Sequence, residues 1–120
     1  MANDKTFKIK NGLSATRYLQ SSTAVAASDV DMSSGSYFTK TLSADTTFTF
    51  SNPPASGSAG SFALEIIGAS TYTITWPSSI KWSGATTPDA PAAGEKDVYT
   101  FVTTDGGTTY YGKQAGDAVA

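Results

Sequence analysis

From Phe38 to Trp82 apolar and polar residues take turns along the chain. Phe38, Lys40 and Leu42 alternate with Thr39 and Thr41, and Phe48 and Phe50 flank Thr49. Phe62, Leu64 and Ile66 alternate with Ala63 and Glu65, and Tyr72, Ile74 and Trp76 with Thr71, Thr73 and Thr75. A side-chain period of two sends one set of residues into a core and the other towards water, which is the signature of a strand. The threonines are β-branched and suit a pleated surface better than a helix. Asp29–Met32, Ile80–Trp82, Val98–Thr103 and Thr109–Gly112 extend the series of short strands.

Between these runs lie turn and loop signals. Ser43–Thr46, Gly68–Ser70 and Asp105–Gly107 read as tight turns, because Ser, Asp and Gly bond local amides or accept positive φ. Ser51–Gly60 and Ser83–Gly94 each contain two prolines and read as surface loops, since proline has no amide for a ladder. Roughly seven to nine strands with turns at this spacing predict an all-β domain, an antiparallel β-sandwich or jelly-roll-like barrel, with no helix required. No internal repeat at a fixed period supports a solenoid or propeller.

Ahead of the main pattern, Thr6–Lys10 alternates, with Phe7 and Ile9 on one side and lysines on the other. Asn11-Gly12 favours a type I′ hairpin turn, and Leu13–Leu19 is the expected returning strand. An isolated two-stranded hairpin is marginal in water, so this arm is expected to lie on the main domain or on a neighbouring subunit. Residues 1–28 are thus an N-terminal β-hairpin arm and linker, 29–113 the β-domain, and 114–120 a small polar tail.

Composition narrows the chemistry. Hydrophobic residues make up 39% and charged residues 15% of the 120 residues, so Ser, Thr and Gly carry much of the surface. The net charge is −2 and there is no Lys/Arg run, which argues against nucleic acid or an anionic membrane as partner. There is no Cys, hence no disulfide or thiolate chemistry, and no His, the commonest general base and transition-metal ligand. The first residues lack a signal-peptide core, and no window is apolar enough to span a bilayer.

Candidate sites are correspondingly few. Ser and Thr are abundant but have no His or Cys to activate or replace them, and no GxSxG elbow occurs, so the chain is not expected to be an enzyme. Glu95 and Asp97 read as solvated charges. Asp29, Asp31 and Asp105 lack the multi-Asp loop of a calcium site, and no metal or other cofactor is expected. Trp76 is in register with Tyr72 and Ile74 and reads as core. Trp82 reads as a cap at one end of the fold, with stacking on a sugar ring as the functional alternative.

Several blocks occur together in one order: Thr47–Phe50 with Asn52-Pro53-Pro54, Gly60–Phe62, Thr75-Trp76-Pro77 with Lys81-Trp82, and Thr100–Thr108 with Tyr110-Tyr111-Gly112. On these residues the segment Phe38–Gly112, about 75 of the 120 residues, resembles a small β-domain of tailed-bacteriophage virion proteins. The resemblance implies a structural protein of the virion, assembled in the host cytoplasm. Such domains often follow long fibre shafts, whereas here only about 36 residues, without heptads, precede the domain. That departure favours a capsid decoration (cement) protein binding the outer capsid surface and reinforcing capsomer contacts.

The expected partners are the major capsid protein and further copies of the chain, as a homodimer or homotrimer. Phe7, Ile9, Leu13, Tyr18 and Leu19 are the expected contact residues. The alternative is a tail-fibre or spike subunit recognising a host-surface glycan through Trp82 and the two proline-containing loops.

Overall fold

Strands form where the alternation is strongest. The computed structural model describes residues 9–119 and is all-β apart from one short 3-10 turn at Ser83–Ala85. The strands are β1 (Ser22–Ala24), β2 (Asp29–Asp31), β3 (Tyr37–Thr41), β4 (Thr46–Thr47), β5 (Thr49–Ser51), β6 (Gly60–Ile67), β7 (Ile74–Thr75), β8 (Ile80–Trp82), β9 (Lys96–Thr103) and β10 (Tyr110–Val119). One six-stranded sheet has the order β1-β3-β6-β9-β10-β8, and β2-β5 and β4-β7 form small separate ladders.

The pairing corrects the expectation of an antiparallel fold. Only β6-β9 and β9-β10 are antiparallel, whereas β1-β3, β3-β6, β8-β10, β2-β5 and β4-β7 are parallel. Parallel neighbours need a crossover to return the chain to its starting end, a task usually given to a helix. Here strands of the small ladders supply it: β2 lies between β1 and β3, and β4 and β5 lie between β3 and β6. Ser43–Thr46 and Gly68–Ser70 therefore carry the chain from one sheet to another and close no hairpin.

Only Phe48 separates β4 from β5, and the backbone around it hands its pairing from one neighbour to the other. The amides of Thr46 and Phe48 donate to the carbonyls of Thr73 and Thr75. Thr49 donates to Ser28, and Ser51 accepts from Met32. Even and odd residues of a strand point to opposite edges. β7 and β2 therefore flank Thr46–Ser51 on opposite sides, as a second, narrower layer.

The core lies between that layer and the main sheet. Phe38, Phe62, Leu64, Ile66, Tyr99, Phe101 and Tyr110 are buried from the sheet side, and Val30 and Phe48 from the other. Phe50 sits 4.9 Å from Phe62 and 5.0 Å from Tyr110, measured between ring centroids, and Trp76 stacks at 5.3 Å on Phe48. Trp76 is thus half-buried and packed against the core, on the side its register predicts.

Two boundaries differ from the sequence reading. β1 falls inside the expected linker, where Val25 donates to the Thr39 carbonyl, so Ser22–Val25 is part of the main sheet. The expected tail is the second half of β10, which runs to Val119 through register shifts around Gly116. Small residues there hide a strand because the partner β9, and not their own side chains, holds them.

Candidate functional site

Residues 9–21 make no ladder with any described strand. Lys10-Asn11 forms a turn and Gly12 takes φ +98°, but Asn11 has no positive φ, so the turn is not type I′. The returning strand expected at Leu13–Leu19 is absent, and the hairpin's first strand, with Phe7, falls largely outside the described residues. Ile9, Leu13, Tyr18 and Leu19 are 43%, 73%, 77% and 72% exposed. The segment joins the body at Gln20, whose Oε1 accepts a hydrogen bond from the Ser36 hydroxyl at 2.9 Å.

Trp82 packs at the margin of the inner aromatic cluster. It is half-buried, and its ring lies 5.2 Å from Trp76, 5.6 Å from Phe101 and 6.2 Å from Tyr99, edge-on to each. Trp82 thus packs against the inner cluster and also lines a trough on the surface. On the main sheet, Tyr111 is an exposed aromatic residue, 57% accessible on the outer face. Adjacent strand residues face opposite ways, so Tyr110-Tyr111 must place one ring inside and one outside, a signal present in the sequence. Beside Tyr111 a shallow trough of about 390 Å³ is lined by Lys81, Trp82, Thr100, Val102 and Lys113 among others.

The carboxylates are mostly engaged in holding turns and loops. Asp29 accepts from the Thr49 and Ser51 hydroxyls, and Asp31 from the Ser33 amide and hydroxyl and from Asn52 Nδ2. Asp105 accepts from the Thr109 amide at 2.9 Å and the Thr103 hydroxyl at 3.1 Å, which braces the β9-β10 turn. Among the described residues, no group of three His, Cys, Asp or Glu is arranged to hold a metal ion.

Asp97 departs most from its sequence reading. It is 1% exposed, and it accepts from the Tyr99 hydroxyl at 3.0 Å and the Ala118 amide at 2.8 Å. Its partner side chain shows the cost of that setting: burial first, and then the Asp97 charge, push the Tyr99 phenol well above its ordinary value. Because the Ala118 bond anchors the irregular end of β10, this carboxylate fixes where the last strand lies. Neither the buried environment nor the distant amide is visible locally in the sequence.

Hydrogen bonds from Ser33 and Asn52 hold the Asp31 carboxyl below its ordinary value of 3.8, and the Thr109 amide does the same for Asp105. A carboxyl whose folded value lies below its unfolded value contributes stability above the unfolded value. That contribution is lost as pH falls through the folded value. Urea midpoints are therefore expected to hold steady from about pH 7 to about pH 5 and to drop below about pH 4. Asp105→Asn should flatten part of that drop. An unchanged acid slope in this variant would refute the assignment.

No helix among the described residues is long and apolar enough to cross a membrane. Compared with protein-family models, with curated proteins and with solved structures, the chain matches none.

Proposed function

We propose that this chain is a capsid decoration protein of a tailed bacteriophage, held on the outer shell by an N-terminal arm that becomes buried against neighbouring subunits. The observation that carries the attachment is the exposure of Leu13, Tyr18 and Leu19, each above 70%, on a segment without strand partners. Large apolar residues grouped on one exposed segment mark an interaction site more often than chance surface hydrophobicity. The virion setting comes from the resemblance carried by Phe38–Gly112. A body rich in Ser and Thr and poor in charge suits close packing among identical neighbours.

A map of the intact particle by cryo-electron microscopy tests the location. Density over capsomer junctions, with residues 9–19 buried in a contact, is the expected result. Density confined to the tail would overturn it and leave the glycan-binding reading, for which the trough lined by Tyr111 and Trp82 offers the platform. Full-length chain carrying Leu13→Asp and Leu19→Asp should be incorporated at least about tenfold less, since each buried leucine contributes about 1.5–3 kcal/mol to such a contact. Copy number per particle, read from stained gels, measures this.

A further inference from the structure

The two sides of the main sheet end differently. β8 covers β10 only over Tyr110–Gly112, whereas β10 continues to Val119. Residues 113–119 therefore pair with β9 on one side and with no described strand on the other, where the Ser83–Ala85 turn packs against β10 without a ladder. Such an edge offers main-chain donors and acceptors to an incoming segment.

The direction of these groups follows from one hydrogen bond. The Tyr110 amide donates to the Ser79 carbonyl at 3.0 Å, on the β8 side. Gly112 and Gln114 follow at intervals of two, so the N–H and C=O of Gln114 point out of the open edge. Asp89, Glu95 and Asp117 line, with Gln114, a cavity of about 260 Å³ to which no Lys or Arg contributes.

The arm has the complementary character. Between residues 9 and 21 it carries Lys10 and Arg17 and no acid, along with its four exposed apolar side chains. Over residues 1–21 the balance is Lys5, Lys8, Lys10 and Arg17 against Asp4 alone. The remainder of the chain holds four lysines against nine acids, so a basic arm is joined to an acidic body. The arm enters the sheet at β1, the edge opposite to β8 and β10. Its point of attachment is thus separated from its own β10 by the width of the sheet. The trough at Tyr111 is a poorer seat, because Lys81 and Lys113 line it and would repel Lys10 and Arg17.

We propose that the arm of one copy docks along the open edge of β10 in a second copy, with Lys10 and Arg17 facing Asp89, Glu95 and Asp117. The proposal rests on the reading of residues 9–19 as an attachment segment and names the neighbour that receives it. The contact is heterologous, one edge giving an arm and the other receiving it, so it generates a ring where the rotation closes and an open chain where it does not.

The test is the mass of the purified full-length protein in solution, by light scattering and native mass spectrometry. The wild-type chain should be multimeric at about 100 μM, an association of at least moderate strength. Leu13→Asp with Leu19→Asp should yield monomer. Gln114→Pro should also yield monomer, because it removes the outward amide while leaving the amides that face β9. If Gln114→Pro fails to fold, as far-ultraviolet dichroism would report, charge exchange takes its place. Arg17→Glu should weaken assembly about tenfold, and Asp117→Lys added to it should restore much of the loss.

A wild-type chain that stays monomeric overturns the proposal. So does a multimer that survives both the arm and the edge substitutions, or a double charge exchange that restores nothing. Failure of the capsid location would leave these masses unchanged, so the two readings fail separately.

Discussion

Replacing Phe101 with alanine is expected to lower the stability of the domain by about 3–5 kcal/mol, a large part of the roughly 5–15 kcal/mol that holds most domains together. Phe101 is 2% exposed and stands at the centre of the aromatic cluster. Its ring lies 5.0 Å from Phe50, 5.1 Å from Phe62, and 5.6 Å from both Trp76 and Trp82. It also fills the space over Gly112, where an added Cβ would come within 2.9 Å of the ring. Removing the ring leaves a void between two layers whose backbones are held apart by the surrounding aromatic side chains. The surroundings can therefore close over it only in part. Urea titration followed by tryptophan fluorescence measures the loss, and near-ultraviolet dichroism should fall as Trp76 and Trp82 lose a common neighbour. A loss below about 1 kcal/mol would show that the cluster relaxes freely, against the close packing described here.

The second large effect is expected from a single methyl group. Gly68 follows β6 and receives the turn ahead of β9: its amide donates to the Glu95 carbonyl at 2.9 Å, and its carbonyl accepts from the Gly94 amide at 3.0 Å. A Cβ on Gly68 would stand 2.1 Å from the Ala92 carbonyl oxygen and 2.7 Å from that of Pro91. Both obstacles are backbone, so no side-chain rotation relieves the clash, and residues 91–95 must move. Gly68→Ala should cost at least about 1–3 kcal/mol through this overpacking. Hydrogen exchange should accelerate at the amides of Gly68 and Gly94, whose bonds the movement breaks. Protection equal to wild type at both would refute the close approach.

The glycines illustrate how unevenly the fold can be read from the chain. Gly106 and Gly107 announce the β9-β10 turn, and both take positive φ there. Gly68 looks like another hairpin turn, yet it is small because a loop distant in sequence presses on it. The strands of the Phe38–Ile66 region lie close to where their alternation puts them, since burial of one face is imposed residue by residue. The identity of their partners is not. A turn of Ser, Asp or Gly reverses the chain equally well into the same sheet or into a facing one. The antiparallel reading therefore gave way to a mixed sheet with parallel neighbours.

The candidate surfaces divide the same way. Ile9, Leu13, Tyr18 and Leu19 stand out in the sequence as apolar residues outside the main pattern, and the structure leaves them exposed. Trp82 attracts attention as an indole in a loop-rich region, and Trp76, Tyr99 and Phe101, from other elements, pack against it. Asp97 looks like a surface charge because Lys96 and a proline-containing loop surround it. Its burial depends on the sheet and on the amide of Ala118.

By itself the amino-acid sequence determined that this chain is all-β, where most strands run, and that its basic, apolar arm differs from its acidic body. These properties are local or additive, because alternation, turn chemistry and charge require no knowledge of what lies across the core. Only the tertiary structure decided strand order and direction, the burial of Asp97, and the open edge at Gln114. Each of these is set by contacts between segments distant in sequence, whose free energy depends on shape and on which main-chain groups remain unpaired.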